Sequence, residues 1–379
     1  GGFDYIVALR GRAGWDSFFH PRVQLATIAA EAGVGCLDVP FLDIKDEAGL
    51  VDETDRVIDL GFTAKAPRWA IALAALMAIA NLLGAVGGGL VRLGTLPAQG
   101  VGPTGAHAIT AHGAVMMAGF FGALIALERV VALRRGLWVP LLAALGGWLA
   151  WGTGLWTAAG VLWVVAATGL VWLYAWAGSH RAMSLPLAVE ASGALALLVA
   201  NAAFTLGQPE AARIGWSAFL VLTIAGERRE LTRLVKLPGW ASQAFLLVWA
   251  GSAAAVLLAL WRPDVAVLLW WTTMALLAAW LLRWDVATRQ WRAKGWAGHT
   301  ALCLVAGYVW LALAAVLGLL GQTVAWHALW LGFAMAMVFG HAPIMLPALA
   351  GWRPEPTRWA LLPLAVLGAS LALRVGASA

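Results

Sequence analysis

From Pro67 to the end, the chain is a succession of apolar runs, each close to the roughly 20 residues that a helix needs to cross a bilayer. Eleven such runs are legible, at about 68–91, 105–131, 137–153, 155–177, 184–206, 210–226, 239–260, 264–283, 297–320, 325–349 and 358–377. The third and sixth are short for a span. The links between them are brief, which favours antiparallel neighbours in an all-α polytopic membrane helix bundle. A transmembrane β-barrel would show alternation with a period of two in segments of about ten residues, and these runs do not. With 62% of residues hydrophobic and 12% charged, the chain carries about half the charge of an ordinary soluble domain. Its 24 Trp suit membrane–water interfaces, where an indole is apolar at one end and wet at the other.

The positive-inside rule orients the runs. With residues 1–66 in the cytoplasm, sixteen Lys and Arg from Lys65 to Arg358 collect on the inner side. Four, Arg92, Arg213, Arg262 and Arg374, collect on the outer side. That bias supports eleven spans in a cell inner membrane, N-terminus in and C-terminus out. The net charge of +6 is spread over helix ends and excludes nucleic acid as the expected partner. The expected partner is the lipid bilayer. A homo-oligomer is a further option, because Gly84 and Gly88 make a GxxxG spacing that lets helices approach closely; packing inside the bundle uses the same spacing. Cys36 and Cys303 stand in unrelated segments, so neither a disulfide framework nor a paired-cysteine metal site is available. The chain opens on Gly-Gly with no Met and no secretory signal pattern, so a natural start upstream is expected.

The histidines carry the chemistry. His107, His112, His180, His299, His327 and His341 lie in residues 67–379. His107 and His112 are five apart, roughly 140° round a helix, and do not share a face. His112 and Met116 do. His327 and His341 point alike to within about 40°, yet stand about 21 Å apart along the axis, too far to hold one metal. His112 on the second run and His327 on the tenth come at similar depth from the outer side. Two imidazoles facing one another from separate helices suit a b-type haem, and imidazole with thioether suits copper. Met116, Met117, Met335, Met337 and Met345 lie on the same two runs. The bland alternative for each His is an interfacial hydrogen bond, and for each Met, core filling.

Glu190 sits roughly 9 Å into the fifth run from the inner side. An intramembrane carboxylate is a functional candidate by default: a proton relay, or one half of an ion pair with Arg181 or His341. Asn201 on the same run reads as a hydrogen-bonding strut. The second and sixth runs end alike, as "GALIALERVVAL" and "VLTIAGERRELTRL". That echo is either two helix ends with snorkelling arginines or a parallel structural repeat.

Residues 1–66 have ordinary soluble composition and α/β grammar of helix, strand, helix, strand. "CLDVPFLDIKDEAGL" and "LGFTAK" resemble the C-terminal end of the HpcH/HpaI aldolase family, which includes citrate lyase β-subunits and malyl-CoA lyases. That family implies a TIM-type barrel cleaving CoA esters with Mg²⁺. Asp38, Asp43 and Asp46 match positions near its active-site mouth. About two βα units cannot close a barrel of roughly 250 residues, so the resemblance implies ancestry; Mg²⁺ belongs here only with a complete lyase barrel. In the membrane part, "HAITAHGAVMMAGFFGALI" and "WHALWLGFAMAMVFGHAPI" resemble spans of NnrS-type haem- and copper-containing membrane proteins linked to nitric oxide metabolism. They are also similar to related bacterial and archaeal polytopic proteins without known chemistry. The NnrS resemblance implies haem or copper on His112 and His327.

The sequence therefore predicts an α/β aldolase-like fragment, 1–66, ahead of a transmembrane domain, 67–379. The expected cofactor is haem b, copper or both, on His112 and His327, with His107 and His341 as further candidates and Glu190 as a proton relay. A proton- or metal-coupled transporter is the alternative, as is a CoA-ester lyase tail fused to a membrane domain.

Overall fold

A computed structural model describes residues 68–95, 103–133, 135–181, 183–232, 235–350 and 355–378. The chain divides by its contacts into residues 1–66 and 67–379. The α/β reading of 1–66, with Asp38, Asp43 and Asp46, lies outside the described residues. Among those that are described no strand occurs.

Helix follows helix along the second unit. They are α1 (Arg68–Arg92), α2 (residues 103–133), α3 (Trp138–Thr153), α4 (Trp156–Arg181), α5 (Leu185–Thr205) and α6 (Pro209–Leu231). Then come α7 (Gly239–Leu258), α8 (Pro263–Trp284), α9 (Gly295–Leu319), α10 (residues 325–350) and α11 (Leu362–Ser378), with a single turn at Ala287–Gln290 and a 3-10 turn at Arg358–Leu361. Eight of the described helices are long and apolar enough to cross a membrane, so this is a multi-pass, lipid-embedded chain. Three of α1 to α11 fall outside that set: α3, which has 16 residues, α6, which carries Glu210, Arg213, Glu227, Arg228, Arg229 and Glu230, and α10. The structure thus supports fewer spans than the eleven expected.

The way apolar residues are distributed explains the bundle. On α1, Trp69, Leu73, Leu76, Ile79, Leu83, Val86 and Leu90 recur every three or four residues, and all are exposed. The buried face of α1 is small: Ala70, Ala74, Ala78 and Ala85. Large residues outward and small ones inward reverse the soluble pattern, because lipid solvates Leu as well as a core does and close backbone approach is what holds membrane helices together. Gly88 shows the approach directly, since a Cβ there would run into the Ala108 carbonyl of α2. The GxxxG spacing of α1 is therefore spent inside the bundle.

Consecutive helices pack as neighbours from α3 to α6 and from α7 to α10, and α6 lies at the centre. Nearly every α6 residue from Ala211 to Gly226 is buried. A helix surrounded by protein needs no lipid-facing stripe, which is how α6 tolerates its charged ends. Two buried asparagines fasten the packing. Asn81 of α1 accepts the Trp151 indole N–H at 3.0 Å and donates to the Ala144 carbonyl at 2.8 Å. Asn201 of α5 accepts from Trp216 at 2.8 Å and donates to the Trp163 carbonyl at 2.9 Å.

Candidate functional site

Two of the long helices are not α-helical throughout. In α2 an α-helix, Pro103–Ala114, runs into a π-helical stretch, Val115–Phe121, and returns to α at Gly122–Leu133. In α10 the π-helical stretch is Ala328–Ala334, between Ala325–His327 and Met335–Ala350. Each stretch begins just after one of the two histidines singled out from the sequence. A π turn takes more residues than an α turn, so it rotates the two flanking α-helical segments relative to one another, and such turns recur at functional sites. The α-helical spacing used for the His112–Met116 pair gives way to the π ladder from Val115 onward.

His327 lies within electrostatic reach of His112, Arg92 and Arg374, and His112 within reach of the same two arginines. Arg92 ends α1 and Arg374 is near the end of α11, so four helices contribute. The ring atoms are differently engaged. His112 places Nδ1 3.0 Å from the Ile109 carbonyl. A carbonyl only accepts, so Nδ1 carries the proton and the neutral ring keeps its Nε2 lone pair free. His327 Nδ1 is buried with no hydrogen-bond partner. Gly89 leaves His112 room, since a Cβ at Gly89 would stand 3.8 Å from His112 Cδ2.

The other histidines go elsewhere. His107 faces Gly154, where a Cβ would fall 2.5 Å from its ring. Gly154 ends α3 in the left-handed region, φ 73°, and donates its backbone N–H to the Leu149 carbonyl. His107 and His112 therefore address different neighbours, and the Nδ1 of His107 is buried without a partner. His341 donates from Nδ1 to the Met337 carbonyl at 2.8 Å, about four turns along α10 from His327. His299 reaches across from α9 to the Phe339 carbonyl at 3.1 Å, while His180 stacks on Trp176. Among the described residues no group of three or more His, Cys, Asp or Glu is arranged to hold a metal ion.

A second polar site occupies the opposite end of α2. Arg129 lies 2.6 Å from Glu227 of α6, 3.0 Å from Glu190 of α5 and 3.6 Å from its neighbour Glu128. Glu190 thus pairs with Arg129, whereas His341, one of the two partners expected from sequence, bonds its own helix backbone; the side chain of Arg181, the other, lies outside the described residues. Local chemistry places it there. Ser184 caps α5 by accepting from the Leu187 N–H, and Pro186 pre-sets the first turn. Gly226 leaves the space that the Glu190 side chain fills, since a Cβ there would strike Glu190 Cγ. Next along α6, Arg228 stands close to Asp285 and Tyr308. Burial pushes the Asp285 carboxyl, just past the end of α8, above the usual carboxylate range, against the pull of Arg228. One residue from each Glu-Arg pair of the sequence echo thus meets the other, Arg129 with Glu227. Their repetition was the available signal.

A family model described as a domain of unknown function, DUF8744, matches residues 68–379. No curated protein and no solved structure matches the chain.

Proposed function

The chain belongs to the DUF8744 family, and on that premise we propose that it is an integral membrane protein binding haem b or copper between His112 and His327. One observation carries the reading: two histidines from separate helices lie within electrostatic reach of one another, His112 with Nδ1 on the Ile109 carbonyl and Nε2 left to offer its lone pair, His327 with a buried Nδ1 that has no hydrogen-bond partner. A metal ligand must offer a lone pair, and a bond to the other ring nitrogen holds the imidazole in orientation; the Ile109 carbonyl does this for His112. Arg92 and Arg374 suit the carboxylates of a porphyrin. His112 and His327 would hold the group, and a pair of imidazoles suits haem better than copper, which would need further donors. Bound there, either group supplies one-electron chemistry. The NnrS-like motifs suggest nitric oxide metabolism as the setting. The membrane part is read as eleven spans with the N-terminus in the cytoplasm.

The test is an absorption spectrum and metal analysis of the purified chain. A Soret band that His112→Ala and His327→Ala each abolish, and that His341→Ala leaves, is the expected result. Stoichiometric copper without a Soret band would select copper. Neither haem nor copper, or a band surviving both substitutions, would end the reading.

A further inference from the structure

The cluster at the far end of α2 has a charge problem and a direction. One guanidinium, Arg129, faces three carboxylates: Glu128 on α2, Glu190 on α5 and Glu227 on α6. Among the described residues Tyr174 of α4 also lies within electrostatic reach of all four. Arg228 is turned toward Asp285 and Tyr308, and Arg229 hydrogen bonds Thr232 at 3.0 Å. Among the described residues one cation, Arg129, thus faces two largely buried carboxylates, Glu190 and Glu227, and a third, Glu128, nearer the surface; a low-dielectric interior does not sustain unpaired charge.

The acids are also graded. The Glu128 side chain is 38% exposed, that of Glu227 23% and that of Glu190 7%. They form a ladder from the surface inward around a single cation. At its inner end the Tyr174 hydroxyl is buried with no hydrogen-bond partner, and Glu190 Oε2 has none beyond its ion pair. Tyr174 is 2% exposed. A buried hydroxyl left unpaired beside a buried carboxylate oxygen is costly unless something passes between them.

We propose that this cluster is a proton-exchange site. Glu128 meets the aqueous side, Glu227 relays, and Glu190 holds one proton beside Tyr174. Transfer breaks an O–H bond at one carboxyl and forms one at the next, so no oxidant or reductant is involved. Arg129 keeps the remaining carboxylates ionised and ready to accept. The inference is independent of the metal reading, because the cluster lies about 25 Å along α2 from His112.

Infrared spectroscopy of the full-length purified protein at neutral pH tests it. A protonated-carboxyl stretch that shifts in deuterium oxide is expected, lost in Glu190→Gln or Glu227→Gln. Tyr174→Phe removes one oxygen, leaves the ion pairs in place, and is expected to move the band. No protonated-carboxyl band in the unaltered protein would overturn the proposal. So would a band untouched by all three substitutions, which would place the proton on another acid.

Discussion

Arg129 holds more of this molecule together than any histidine. It ties α2 to α5 and α6 through two carboxylates, and its Cζ stands 5.8 Å from the Tyr174 ring. Removing one partner of a buried ion pair leaves the others uncompensated, at a cost of about 3–5 kcal/mol. Arg129→Ala is therefore expected to lower the unfolding temperature in detergent far more than Arg213→Ala, whose pair with Glu210 is exposed. Asn81 gives a second case. Asn81→Ala leaves the Trp151 indole N–H without its acceptor and removes the bond to the Ala144 carbonyl, and is expected to cost about 1–3 kcal/mol. An equal loss in a solvent-facing control such as Thr95→Ala would refute this. The sequence marked Asn201 as a strut and the Glu128-Arg129 helix end as a repeated pattern, but left Asn81 unremarked and named no partner for Arg129. A polar residue in an apolar run announces itself, yet its partner lies 38 to 98 positions away and no local pattern names it.

At the scale of elements, glycine positions decide how helices meet. Gly88 lets α1 lie against the Ala108 carbonyl, whereas Gly87, one residue earlier, meets nothing within 4 Å. Gly88→Ala is expected to destabilise by about 1–3 kcal/mol through overpacking, and Gly87→Ala to be nearly neutral. Equal effects in an unfolding assay would contradict the packing described. Gly226→Ala is the parallel case on α6, expected to displace Glu190 and to weaken the tie between α5 and α6. The π-helical stretches, Val115–Phe121 and Ala328–Ala334, were not legible in advance. Their residues are ordinary apolar ones, and the α and π ladders differ only in which carbonyl each N–H finds. Packing against neighbours selects between them. That choice re-aims His112 and His327 relative to the rest of their helices, so the reading of a shared site rests on something periodicity does not encode.

For the whole molecule, orientation is the measurable quantity. In a background without native cysteines, single cysteines at the exposed Gln208 and Gln322 are expected to react with a membrane-impermeant maleimide from outside intact cells. Those at the exposed Ser179 and Arg292 are expected to react only after lysis. The reverse pattern would invert the proposed topology, and a mixed pattern would change the number of spans.

The sequence alone determined the class and the helix positions. Its apolar runs are as long as a bilayer is thick, and water cannot solvate them, so no soluble fold was open to it. It marked the third and sixth runs as short: α3 is, at 16 residues, whereas α6 runs to 23 and is set apart by its charged ends. Tertiary structure decided what the polar residues do. It set His112 and His327 within electrostatic reach of one another, sent His107 to Gly154 and His341 to its own helix backbone, and gave Glu190 to Arg129. The reason is physical: insertion into lipid depends on summed hydropathy along a segment, which is local, whereas a buried charge must be matched by a group on another helix, and only the packed bundle says which helices touch.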